Sequence, residues 1–136
     1  MSEKVIPTRG QLERTLSQRI QSLYREQLGH QPSKVTVAIT DERITILIED
    51  AITQPEQLLV NLGREELTEQ VRSDLDQAIQ VSLRSLIEEV VGLEVVDLLS
   101  DTTLETGRAG SIAVLSDIPK FRNPGVKSSV KKKTSA

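Results

Sequence analysis

The densest cluster of oxygen-bearing side chains in this sequence is Ser100-Asp101-Thr102-Thr103, joined through Leu104 and Glu105 to Thr106-Gly107. Carboxylate and hydroxyl oxygens gathered in a loop can hold a hard cation or the polar groups of a small ligand, although the spacing of an EF-hand is absent. Asp101, Thr102, Thr106 and Gly107 are therefore the candidate ligand-binding residues. The plainer reading is that Asp101 and the threonines tie down their own turn.

His30 follows a helix-ending glycine, where an imidazole can hydrogen-bond the last carbonyls or shuttle a proton; as the single histidine, with no evident partner, it reads as structural. Adjacent carboxylates occur at Glu49-Asp50, Glu65-Glu66 and Glu88-Glu89. General acid and base work needs carboxylates that face one another with divergent pKa values, whereas helix neighbours point apart. Without cysteine, thiolate zinc sites, disulfides and cysteine nucleophiles are excluded. No catalytic residue, metal site or cofactor is assigned, and the expectation is a protein that is not an enzyme.

A cationic cluster closes the chain. After Asp117 come Lys120, Arg122, Lys127, Lys131, Lys132 and Lys133 and no acid, so the net charge of -3 divides into +6 there and -9 on residues 1–117. Lys127, Lys131, Lys132 and Lys133 are candidate partner-binding residues for phosphates, an anionic membrane surface, or the acidic body of the same or another molecule. Aromatic rings for base stacking are not interleaved with them, Tyr24 and Phe121 being the two in the chain, which argues against nucleic-acid recognition.

The elements that must position these groups come in an order given twice: helix, strand, strand. A capping box, Thr8 with Gln11, opens a helix whose stripe is Leu12, Leu16, Ile20, Leu23 and Leu28 and which Gly29 ends. Val35, Val37 and Ile39, then Ile44, Ile46 and Ile48, alternate with their neighbours across the turn at Asp41-Glu42, the pattern of a hairpin with one buried face. A second box, Thr53 with Glu56, opens a short helix through Leu62; neither box invites a functional reading. A helix from about Arg64 to Val91 follows, with Leu67, Val71, Leu75, Ile79, Leu83, Leu86 and Val90 on one stripe. At about 40 Å it is longer than one four-stranded sheet needs, which predicts that part of the stripe packs on a second protomer in a homodimer or larger assembly. Strands at Glu94 to Ser100 and Ser111 to Leu115, turning through Asp101 to Gly107, complete the repeat.

The predicted fold is α+β, two αββ halves forming a four-stranded antiparallel sheet with helices on one face. Residues 1–8 read as an extension, 9–117 as the domain and 118–136, with Pro119, Pro124, Gly125, serines and lysines, as a basic disordered tail. Met1 to Arg9 lacks the apolar core of a signal peptide, and no stretch approaches the roughly 20 apolar residues of a membrane span, so a cytoplasmic location is expected.

From about Gln11 to Leu115, the order Leu28-Gly29-His30-Gln31-Pro32, hairpin, Thr53-Gln54-Pro55-Glu56, long helix, Val91-Gly92, Ser100-Asp101 and Thr106-Gly107 resembles the MpsC family. The resemblance implies a small partner or regulator of a membrane complex, linked with membrane cation or inorganic-carbon transport, and no catalytic residues. His30-Gln31 and Leu99 depart from the family pattern, which weakens a ligand role for the polar loop, and the basic tail lies outside it. A small-ligand or ion-binding module centred on Asp101, and anionic-surface or nucleic-acid binding through the tail, are the alternatives.

Overall fold

The computed structural model describes residues 6–122, and its elements follow in the order helix, hairpin, two helices, hairpin. Helix α1 (Arg9–Leu28) begins where Thr8 Oγ1 accepts the Gln11 N–H at 3.1 Å and Gln11 Oε1 accepts the Thr8 N–H at 2.9 Å. It ends at Gly29, whose φ of 64° is a left-handed conformation that costs glycine nothing. Its buried residues, Leu12, Leu16, Ile20 and Tyr24, recur every four positions. Tyr24 is buried where the stripe expected from the sequence has Leu23, which is half-buried against the core; a spacing of four turns the buried line about 40° per step around the helix.

Strands β1 (Lys34–Thr40) and β2 (Arg43–Glu49) form the first hairpin, turning at Asp41-Glu42 as expected. After α2 (Gln54–Asn61) and α3 (Glu65–Val91) come β3 (Val95–Thr103) and β4 (Arg108–Leu115). All pairings are antiparallel, in the order β1-β2-β4-β3. Val35, Val37, Ile39, Ile44, Ile46, Ile48, Ala109, Ala113 and Leu115 are buried with α1 packed on β1 and α3 packed on β3, so the fold is α+β around an aliphatic core.

The second hairpin departs from expectation. Its strands run on to Thr103 and from Arg108, so Asp101 and Thr102 lie in β3 and the turn is confined to Leu104 through Gly107. The ladder continues because Gly107, at φ 74°, closes a short turn and donates its N–H to Thr103 O at 2.8 Å. A register shift between Val95 and Asp97 then turns Leu98, Ser100 and Thr102, rather than Asp97 and Leu99, onto the side of buried Ala113, Ser111 and Ala109.

Helix α3 also differs along its length. Its second half buries Ile79, Leu83, Leu86 and Ile87, but its first half buries Thr68 and Arg72 and leaves Leu67 40% exposed. The buried line in the first half is thus one residue, about 100° of helix, away from the Leu67-Val71-Leu75 stripe. Residues 118–122, assigned from the sequence to the tail, run back along the start of α1. Pro119 is buried, Phe121 packs on the core with the Arg9 guanidinium 5.9 Å from its ring centre, and Arg122 N–H donates to Pro7 O at 2.8 Å.

Candidate functional site

The polar half of α3 and the polar half of β3 meet at a buried ionic cluster that begins at the second capping box. Thr53 does more there than start a helix: its N–H and hydroxyl both donate to Glu56 Oε1, at 3.0 and 2.8 Å. The Glu56 carboxylate is fully buried, and Arg72, 5% exposed, reaches it from α3 with Nη1 3.1 Å from each carboxylate oxygen. Nη1 also donates to Ala51 O at 3.2 Å, and Nε donates to Asp76 Oδ1 at 3.0 Å. Asp76 Oδ2 in turn accepts the Thr102 hydroxyl at 3.4 Å. Nη2 lies 3.0 Å from Asp76 Oδ1, but its hydrogens are not aimed at that oxygen, and among the described residues it is the buried side-chain polar atom that lacks a hydrogen bond.

One guanidinium thus sits between two carboxylates, where desolvation strengthens each charge-assisted bond and makes loss of any partner costly. Tyr24 reads that field from α1. Burial pushes its phenol up to about 12; the Arg72 cation opposes the shift, and the Asp76 and Glu56 carboxylates add to it.

A cleft of about 480 Å³ opens over the cluster, lined by Glu65, Glu69, Arg72, Asp76, Asp101 and Thr102 among others. Of the four candidate ligand-binding residues, Asp101 and Thr102 line this cleft from the edge strand β3, Thr102 on the buried side of the sheet and Asp101 on the other. Thr106 and Gly107 lie in the turn behind it, where Thr106 Oγ1 accepts the Arg108 N–H at 3.4 Å and Gly107 O accepts the Ala51 N–H at 2.8 Å. Asp101 Oδ1 accepts its neighbour's Thr102 N–H at 2.9 Å. A carboxylate rim around one buried guanidinium suits a ligand offering a cationic group to the rim and an acceptor to Arg72. Among the described residues, no group of three or more His, Cys, Asp and Glu side chains is placed to hold a metal ion. Lys127, Lys131, Lys132 and Lys133 lie outside the described residues.

His30 does not bond the end of its own helix; Nε2 donates to Asp50 O at 2.5 Å, across to the end of the first hairpin. Three of the six adjacent carboxylates have separate duties. Glu49 accepts Arg108 Nε at 3.1 Å, Glu88 accepts the Val95 N–H at 2.9 Å, and Glu89 accepts Arg19 Nη2 at 3.1 Å.

A family model described as the Na+-translocating membrane potential-generating system (MpsC) matches residues 8–117. The chain belongs to the MpsC family. No curated protein and no solved structure matched it. The family span takes in both capping boxes and the whole Thr53-Glu56-Arg72-Asp76-Thr102 cluster, and stops short of residues 118–136. No helix among the described residues is long and apolar enough to cross a membrane, so in this MpsC chain any contact with a membrane system by those helices is made without spanning it.

Sequence reasoning missed Glu56, Arg72 and Asp76. The signal that points to them is the i, i+4 run Thr68-Arg72-Asp76 beside the apolar stripe, together with an ionisable Glu where the first box has a neutral Gln.

Proposed function

We propose that this MpsC protein is a non-enzymatic accessory or regulatory protein, acting at the cytoplasmic face of a membrane cation or inorganic-carbon transport system and assembling with itself. The observation that carries the reading is the family match over residues 8–117. Two features support it. The histidine and three of the six adjacent carboxylates are engaged in hydrogen bonds or ion pairs between elements of the fold, at His30, Glu49, Glu88 and Glu89. The α2–α3 corner exposes Leu58 at 59%, Leu62 at 64% and Leu67 at 40%, an apolar surface of the sort that binds another protein. The test is Na+-dependent membrane potential in cells lacking this chain. It should fall and recover with the wild-type protein but not with a Leu58→Glu, Leu62→Glu variant that folds normally; an unchanged potential in the deletion strain overturns the reading.

A second reading rests on Arg72 Nη2, which lacks a hydrogen bond in the wall of the cleft that Asp101 shares. On this reading the cleft binds a small zwitterionic ligand that regulates the protein. Saturable thermal stabilisation by one compound in a metabolite and ion screen, lost in Asp101→Ala, supports it, because a ligand raises stability by mass action.

A further inference from the structure

The side of the sheet away from the buried residues is uncovered and patterned. Pairing registers lay its residues out in rows running from β1 to β3: Thr40, Arg43, Val114, Asp97; Ala38, Thr45, Ile112, Leu99; Thr36, Leu47, Gly110, Asp101; and Lys34, Glu49, Arg108, Thr103. Leu47, Leu99 and Ile112 are 39%, 53% and 43% exposed, an apolar diagonal framed by charges.

Gly110, in the middle of this face, has no reason within its own chain to be glycine. Its φ is not positive, and a Cβ there would meet only Ile46 O, at 3.8 Å, an ordinary contact. Glycine inside a strand weakens it, and it often marks a close approach by something else. What approaches must offer a knob for that hollow and charges opposite those of the frame.

We infer that the occupant is a second copy of this chain, stacked face to face about a two-fold axis parallel to the strands and lying between β2 and β4. That axis keeps each row and exchanges β1 with β3 and β2 with β4. Leu47 of each copy then faces Gly110 of the other, Ala38 faces Leu99, Thr45 faces Ile112, and Glu49 faces Arg108 in both directions. The other in-plane two-fold, perpendicular to the strands, would pair Arg43 with Glu49. It would also lay both Leu99 on Asp101 and Val114 on Arg108, two charged groups against apolar side chains where the first axis lays one, Arg43 on Val114. Sheets that pack face to face do so with strands nearly aligned, which either axis gives, so the facing pairs decide between them. The footprint, about 19 by 23 Å from strand spacing and rise, is small for a stable interface, so the dimer exchanges and dissociates on dilution.

This inference rests on the self-assembly in the proposed function and names its surface, which is distinct from the α2–α3 corner. The test uses the full chain in sedimentation velocity across micromolar to hundred-micromolar concentrations. Glu49→Arg and Arg108→Glu each place like charges across the two-fold and should weaken the dimer at least tenfold, with thermal melting checked for each. Mixing the two variants should restore wild-type association, because each heterodimer pairs Arg with Glu at both contacts. The Glu49–Arg108 pair inside one chain cannot be repaired by mixing. Gly110→Leu should fill the hollow and abolish dimerisation while the chain stays folded. A dimer insensitive to all three changes, or no rescue on mixing, overturns the assigned surface while leaving self-assembly standing; a wild-type monomer at every concentration overturns both.

Discussion

The two capping boxes have the same spacing and opposite fates. Thr8 and Gln11 close theirs with neutral groups, Thr8 buried but the Gln11 side chain exposed, each accepting the other's N–H. Thr53 and Glu56 are buried, and the Thr53 hydroxyl donates to a carboxylate already held by Arg72. The difference is one ionisable side chain at the third helical position. In water Glu and Gln cap about equally well, but in the interior a carboxylate demands a cation, and that demand recruits Arg72, then Asp76, then Thr102. A local device at one helix start thereby becomes a tie among α2, α3 and β3, with Tyr24 of α1 beside it.

The contrast with the apolar half of the core gives the largest expected effect. Ile46 is 1% exposed among aliphatic neighbours with no cation in reach of the kind Glu56 has. Ile46→Asp should leave no folded protein by circular dichroism at room temperature, since an unpaired buried charge consumes most of a small domain's stability. A cooperative melt close to wild type would mean that the interior tolerates lone charge and that the Glu56–Arg72 pairing is incidental.

Next in size is removal of one partner from the buried pair. Glu56→Ala should destabilise the protein by about 3–5 kcal/mol in urea unfolding, because Arg72 is left buried with Asp76 alone. Glu56→Leu combined with Arg72→Met should recover most of that loss, since a well-packed apolar pair has no desolvation penalty to offset. If the double variant is as unstable as either single one, the cluster contributes through Asp76 and Ala51 rather than through the pair.

This cluster also marks where the sequence stops being legible. The first hairpin, the start and end of α1, and the strand count followed from period and capping alone, because each depends on neighbours a few residues apart. The Glu56–Arg72 contact joins residues 16 apart through two helices whose packing angle no local pattern sets. Apolar Leu67, Val71 and Leu75 set a stripe that the buried Thr68 and Arg72 override, since one satisfied ion pair inside fixes the rotation of that half of α3. Asp101 and Thr102 stood out as a cluster in the sequence, but the cleft they share with Arg72 and Asp76 depends on a strand register that the bulge near Val95 resets.

Tyr24 sharpens the comparison through pH. Its phenol ionises near 12 in the folded state against an ordinary value of 10.0. Between those values the unfolded chain has released this proton and the folded chain has not, so stability is full below about pH 10, falls as pH rises, and levels off above about 12. The full loss is about 2–3 kcal/mol. Tyr24→Phe should remove that part of the slope. The chain's single tyrosine makes phenolate absorbance a direct reading, and a titration midpoint at the ordinary value would show that the phenol is not buried beside the cluster in the folded state.

The smallest effect belongs to the exposed box. Gln11→Ala removes only the acceptor for the Thr8 N–H, and water can replace it at this exposed side chain, so the cost should be about 1 kcal/mol or less by urea unfolding. Gln11→Glu should be close to neutral, because the new carboxylate stays solvated near the positive end of the helix dipole and recruits nothing. The reciprocal change, Glu56→Gln, keeps the same spacing yet deprives buried Arg72 of its charge partner. It should cost several times more, and equal costs at the two boxes would show that position in the capping motif, rather than burial beside Arg72, sets the worth of that side chain.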